Sequence, residues 1–200
     1  MFLFAHIFLG SIYRLIFRFR INGIENIPKD GGLILCSNHR SLHDTIVLGI
    51  VSWRRKPHFV AKQELFKYKW FNAILYSLGA IPINRENPEM KSFKRAINVL
   101  KNGETLAIFI QGGRRDTLEY ADAKAGVALF AIKGQVPVVP VNITSTFRLF
   151  SKIHINIGEP LHFDEYFGKR LRQEDLAGVA QKIMDDIAIL GNISISPKSD

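Results

Sequence analysis

Leu33-Ile34-Leu35-Cys36-Ser37-Asn38-His39-Arg40-Ser41-Leu42-His43-Asp44 sets a short apolar run directly against a polar one. Gly31-Gly32 marks a turn before it. Leu33 to Ser37, bounded by turn residues, reads as a buried strand. Leu42 to Val51 reads as a helix. The polar residues between them therefore fall on a loop leaving a strand end. Within one continuous helix, residues five apart differ by about 140° and do not face each other. His39 is thus expected on the loop, with Asp44 in the first helical turns, so that the carboxylate comes back to the imidazole. A carboxylate on one ring nitrogen fixes the tautomer and leaves the other nitrogen as a base. This is the base half of a Ser-His-Asp arrangement without the protein nucleophile, and it suits attack by a substrate hydroxyl. A capping or core histidine is the bland alternative. Zinc ligation by His39, His43 and Asp44 is a second, though the H-E-x-x-H glutamate and a further ligand are missing. A serine hydrolase would need a G-x-S-x-G elbow, and the chain has none.

Outward from this stretch, strands and helices alternate. Strands are expected at His58–Ala61, Gly79–Asn84, Thr105–Ile110, Val136–Ile143 and Ile153–Ile157. Helices are expected at Glu89–Leu100, with Pro88 at its opening and Gly103 past its end, at Lys124–Ile132 and at Glu174–Leu190. Glu64–Leu78 is aromatic and basic, a broken amphipathic helix. The pattern predicts an α/β fold with a mostly parallel central sheet flanked by helices. Active sites of such folds lie on loops beyond strand ends.

Three further clusters fall there or nearby. Gly79-Ala80-Ile81-Pro82-Ile83-Asn84-Arg85 is a strand ending in an arginine, whose planar fork suits phosphate oxygens. Phe109-Ile110-Gln111-Gly112-Gly113-Arg114-Arg115 runs the strongest strand into two glycines and two arginines, which fits an anion or a plain hairpin turn. It is not a Walker loop. Val136-Pro137-Val138-Val139-Pro140-Val141 carries two prolines, which point to an edge or irregular strand. It reads as core, or as the wall of an apolar slot.

The N-terminus and the charge bear on location. Residues 1–13 carry no acid, Lys or Arg, and then Arg14, Arg18 and Arg20 alternate with apolar residues. Thirteen helical residues reach roughly 20 Å, short of the ~30 Å hydrocarbon core. Without a basic start or an A-x-A site, the segment is a poor signal peptide. An amphipathic helix over 1–20, lying at the membrane interface with arginines at the phosphates, fits better; a helix packed on the protein's own core is the rival. Residues 21–190 would form the globular domain and 191–200 a loose tail. Lys plus Arg number 27 against 18 acids, a net charge of +9, which favours an anionic lipid surface or acidic substrates. Nucleic acid is disfavoured because the aromatics track apolar stretches rather than a stacking motif. The single cysteine, Cys36, rules out an intramolecular disulfide framework and fits a reducing compartment.

Taken together the clusters resemble the glycerolipid acyltransferase family, the lysophosphatidic acid acyltransferases of PlsC type. The H-x4-D element is His39 to Asp44, preceded by the family's Asn at Asn38. Gly79–Arg85 matches the second family motif and Val136–Val141 the fourth. Flanking segments Gly23–Pro28 and Ala61–Phe66 match too, and the order holds from about Asn22 to Pro160. The third motif departs: where the family reads F-P-E-G-T-R, this chain has Phe109, Ile110, Gln111, Gly112, Gly113 and Arg114. Gln111 keeps an acceptor and adds donors but loses the negative charge.

The resemblance implies acyl transfer from an acyl thioester, on acyl carrier protein or coenzyme A, to the sn-2 hydroxyl of 1-acyl-glycerol 3-phosphate. It assigns His39 and Asp44 to catalysis and Arg85, Arg114 and Gly112 to the acceptor phosphate, with Asn38, Lys62, Gln111 and Arg115 as weaker candidates. It implies no metal or redox cofactor, and a peripheral or monotopic place on the cytoplasmic face of a membrane. The altered third motif leaves two alternatives: a catalytically silent lipid-binding protein, or an acyltransferase for a different lysophospholipid acceptor.

Overall fold

Every residue of Leu33–Ser37, strand β2, is buried, as a continuous apolar strand covered on both faces must be. The computed structural model describes residues 2–68, 72–73, 75–76, 79–84, 89–113 and 123–192. Around β2 stand Arg18–Asn22 (β1), His58–Lys62 (β3), Ile81–Ile83 (β4), Thr105–Phe109 (β5), Val138–Thr144 (β6) and Lys152–Ile157 (β7). They form a seven-stranded sheet in the order β1-β7-β6-β2-β5-β3-β4. Strands β6, β2, β5, β3 and β4 are parallel. β7 runs antiparallel to β6, and β1 parallel to β7.

Helices cover both faces. Phe2–Ile16 (α1) and Leu42–Val51 (α2) lie on one; Met90–Lys101 (α3), Gly126–Gly134 (α4) and Gln173–Leu190 (α5) lie on the other. The alternation along β2 divides the core between them. Leu33 and Leu35 pack with Val47 and Leu48 of α2, whereas Ile34 and Cys36 pack with Leu100, Phe130 and Ile183 of the opposite layer. Burial of an aliphatic side chain of this size is worth roughly 1.5–3 kcal/mol, so these two layers hold the sheet between them. The α/β fold with a mostly parallel sheet is therefore the observed one.

Three local expectations change. The helix expected over 1–20 ends at Ile16, and Arg18–Asn22 is the edge strand β1, registered against Lys152–Asn156. Arg18, Phe19, Arg20 and Ile21 alternate with period two, and only Phe19 of the first three is half-buried. The backbone groups of this segment find partners on a strand distant in sequence, a tertiary demand that outweighs local helix continuation. Val138–Thr144 is an interior strand, not an edge or irregular one. Its prolines sit where an N–H is dispensable. Pro137 precedes the strand and offers its carbonyl to Ile34 N–H (3.1 Å). Pro140 lies just before the antiparallel ladder, which starts at Val141 opposite Ile157. Finally, Glu64–Leu78 begins as a 3-10 turn, Gln63–Lys67, and part of the remainder lies outside the described residues, as does the tail from 193. Among the described residues no helix is long and apolar enough to cross a membrane.

Candidate active site

The loop between β2 and α2 is organised by the way α2 begins. Ser41, in extended conformation (φ −137°, ψ 155°), caps the helix; its hydroxyl accepts from His43 N–H, and Asp44 reaches back over the first turn. Asp44 Oδ2 accepts from Arg40 N–H at 2.6 Å and Ser41 N–H at 2.7 Å. This reciprocal arrangement satisfies orphan donors of the helix start and locks the carboxylate in one orientation. The same oxygen lies 3.3 Å from His39 Nδ1. Asp44 is 1% exposed and the His39 side chain 13%, so the contact sits in low dielectric where a fixed charge acts strongly. With Nδ1–H directed at the carboxylate, Nε2 carries the free lone pair, and it has no protein partner among the described residues.

Two groups from β5 complete the setting of His39. Phe109 is the last residue of β5, opposite Ser37 of β2. Its ring stacks on the imidazole with centroids 3.9 Å apart and planes 14° from parallel. Gln111, 2% exposed, accepts the backbone N–H of His39 through Oε1 at 3.2 Å. The chain then turns at Gly112, whose N–H donates to Phe109 O (3.0 Å) and whose φ of +65° is in the left-handed region that suits glycine. A side chain at Gly112 would also meet the stem of Lys124, 3.1 Å away.

The sequence-derived candidates divide clearly. His39, Asp44, Gln111 and Gly112 gather where β2 and β5 end. Asn38, fully buried, spends its amide on the main chain of Ile143, donating to its carbonyl and accepting from its N–H, both at 2.8 Å. It thereby clips the end of β2 to β6 one step beyond the ladder and is not turned toward a ligand. Lys62 ends β3 and pairs with Glu64 at 3.1 Å on the surface. Arg85, Arg114 and Arg115 lie outside the described residues. Beyond β3 and β4, on the same edge of the sheet, is a cavity of about 370 Å³ lined by Gln63, Glu64, Phe66, Lys67 and Asn84.

His43 does not join His39 in a metal site. Its Nδ1 shares a 2.6 Å hydrogen bond with the Tyr13 hydroxyl of α1. Burial pushes the Tyr13 hydroxyl up, so the phenol stays protonated. The His43 ring is stacked on Phe147, centroids 4.8 Å apart. Among the described residues no three His, Cys, Asp or Glu side chains stand close enough to hold a metal ion. Sequence reasoning passed over Phe109, Lys124, Tyr13 and Phe147. Phe109 stands two residues before Gln111 of the Gln-Gly-Gly turn and could have been found from that placement; the Tyr13 and Phe147 contacts join distant segments and leave no local signal.

Among the described residues, the hydroxyls and the thiol nearest His39 in sequence are held or buried. The Ser41 hydroxyl is held in the helix cap, that of Ser37 is buried against Asn38 at 3.4 Å, and Cys36 is fully buried in the opposite core, where burial pushes its thiol far up. A buried carboxylate that orients an imidazole suits general-base activation of a hydroxyl, whether of a substrate or of water.

Comparison with known proteins narrows the class. The family model described as Acyltransferase matches residues 18–144. The 1-acyl-sn-glycerol-3-phosphate acyltransferase of Bacillus subtilis (strain 168) is 36% identical over 173 residues, which span 84% of this chain and 85% of that protein. The enzyme of the same description from Streptococcus pneumoniae is 30% identical over 168 residues, 81% of this chain and 62% of its own. The crystal structure of the 1-acyl-sn-glycerophosphate (LPA) acyltransferase PlsC from Thermotoga maritima superposes with a TM-score of 0.72 at 26% identity, covering 98% of this chain and 81% of that one. This chain belongs to the acyltransferase family.

Proposed function

We propose that this chain moves an acyl group from an acyl thioester to the free sn-2 hydroxyl of 1-acyl-glycerol 3-phosphate, forming phosphatidic acid for phospholipid synthesis. The carrying observation is the His39–Asp44 pair: a ring whose Nδ1 faces a buried carboxylate at 3.3 Å and whose Nε2 has no hydrogen-bond partner among the described residues. The relatives' shared activity supplies the substrate class. His39 Nε2 takes the proton as the acceptor oxygen attacks the thioester carbonyl. Asp44 stabilises the imidazolium so formed. The tetrahedral intermediate collapses, the carbon–sulfur bond breaks, and the proton on His39 passes to the departing thiolate. The thiol belongs to acyl carrier protein or coenzyme A, and the reaction needs no metal or redox cofactor. Arg85 and Arg114 are the proposed grip on the acceptor phosphate, with Gly112 allowing close backbone approach and Lys62 and Arg115 as flanking charge.

Gln111 bears on the acceptor. The position offers His39 N–H an oxygen acceptor, which an amide supplies as well as a carboxylate does. The dyad therefore keeps its geometry without the family's glutamate. This supports an active enzyme over a silent lipid-binding protein, while a different lysophospholipid headgroup is the second reading that Gln111 favours.

The proposed place of action is a membrane surface, on its cytoplasmic face and held peripherally. α1 is two-sided: Gly10 and Tyr13, with Phe17 just beyond, are buried against the protein, whereas Phe8 and Leu15 are exposed at 57% and 78%. Purified protein incubated with labelled acyl thioester and a panel of lysophospholipids should yield labelled phosphatidic acid from lysophosphatidic acid fastest. Product from another headgroup at higher kcat/KM would replace the acceptor. Vesicle binding with no product from any acceptor would end the catalytic assignment.

A further inference from the structure

The loop joining β6 to β7 turns its most apolar residues outward. Phe147 anchors it, its ring standing edge-on to Phe17 (6.0 Å) and stacked on His43. Phe150 N–H then donates to Ile16 O at 2.9 Å, and Arg18 N–H donates to Ser151 O at 3.0 Å, so the loop is tied to the end of α1. Between these fixings Leu149 is 69% exposed and Phe150 60%. Both Phe147 and Phe150 hold positive φ, 50° and 60°. Aromatic residues rarely adopt that backbone, and strain of this kind concentrates where it serves a function. Leu15, at 78% exposure the least covered large apolar residue among the described side chains of α1, lies two residues from Phe17 and next to Ile16, which receives the Phe150 bond. Arg14 and Arg148 are exposed beside these apolar tips. No acidic residue occurs in residues 1–24 or 144–158.

We infer that Leu149 and Phe150 form, with Leu15, a second membrane-docking element that inserts at an anionic lipid surface while Arg14 and Arg148 meet the phosphates. The inference rests on the proposed membrane role of α1 and adds a site remote in sequence. Exposed apolar side chains with a one-sign basic rim match an anionic bilayer, since the rings enter the interface and the guanidinium groups stay at headgroup level. A second copy of the chain would bring the same arginines together and be repelled. The same loop carries Phe147 against His43, the residue before Asp44.

Sedimentation of the full chain with phosphatidylcholine vesicles, with and without phosphatidylglycerol, tests this. The double substitution Leu149→Ser with Phe150→Ser should lower partitioning onto the anionic vesicles about tenfold or more. It should leave turnover of detergent-dispersed lysophosphatidic acid within about twofold, since neither residue touches the dyad. Arg148→Ala should cost about fivefold on anionic vesicles and little on neutral ones. Phe150→Trp should shift its fluorescence to the blue when anionic vesicles are added. Unchanged partitioning of the double variant, with Phe8→Ser and Leu15→Ser releasing the protein, would overturn the loop's role and leave that of α1 standing. Wild-type protein that sediments with neither vesicle would overturn both. Loss of a wild-type dimer in the double variant, seen by analytical ultracentrifugation, would reassign the patch to self-association.

Discussion

His39 and His43 sit four residues apart, each stacked on a phenylalanine and each engaged through Nδ1. Their partners separate them. His39 faces a carboxylate held by two backbone N–H groups, so a proton gained at Nε2 creates a cation beside a fixed anion. His43 faces a phenol, which gives a hydrogen bond but no compensating charge, among the aromatic rings of Phe17 and Phe147. In the proposed mechanism one ring accepts and returns a proton; the other pins α1 to α2. Chemistry therefore depends less on residue type than on which side of the α2 start each imidazole falls, the loop side or the helix side.

The sharpest way to break the contrast is to remove the His39 ring and then its partner. His39→Ala should lower turnover by about two to four decades, the range of general-base catalysis, with little change in KM. Asp44→Asn keeps an oxygen for Arg40 and Ser41 N–H but removes the anion, and should cost on the order of a hundredfold by the same measure. Initial rates from purified variants, with thermal unfolding to exclude a folding defect, check both. Turnover of His39→Ala near that of wild type would remove the dyad from the mechanism.

A smaller effect is expected one step away. Gln111→Leu leaves the part-buried His39 N–H without its acceptor, costing about 1–3 kcal/mol, and lets the ring drift. Because misplacement of a catalytic group by about 1 Å can cost a hundredfold, kcat should fall by roughly tenfold to a hundredfold. Gln111→Glu restores an acceptor and should recover most of that rate. If the Leu and Glu variants are equally slow, the amide does something other than hold the His39 peptide.

Much of this contrast was open to reading in the sequence. The apolar run Leu33–Ser37 and the helix Leu42–Val51 carry their own local signals, and the H-x4-D spacing requires a loop between them. What stayed hidden depends on distant pairing. Arg18–Asn22 becomes a strand only because Lys152–Asn156 lies alongside. Pro140 can stand in an interior strand only because the β7 ladder begins one residue later. Asn38 looked like a ligand-facing residue until Ile143 took both ends of its amide. His43 offered zinc-like spacing with His39, but a tyrosine thirty residues earlier claims its Nδ1.

That last contact yields the smallest effect and the finest test of the comparison. Tyr13→Phe removes the hydroxyl while keeping the ring in its tilted contact with Phe17 (centroids 5.4 Å). The loss should be about 0.5–1.5 kcal/mol, the net worth of one hydrogen bond, read as a lower midpoint in urea. Turnover on detergent-dispersed substrate should stay within about twofold, because the Asp44 carboxylate is positioned by the helix cap and not by His43. His43→Phe should behave alike, since it removes the same bond from the other side, and the double variant should cost no more than either alone. A tenfold fall in kcat for Tyr13→Phe would mean that the phenol reaches the chemistry through α2, and the division between a working imidazole and a pinning one would have to be given up.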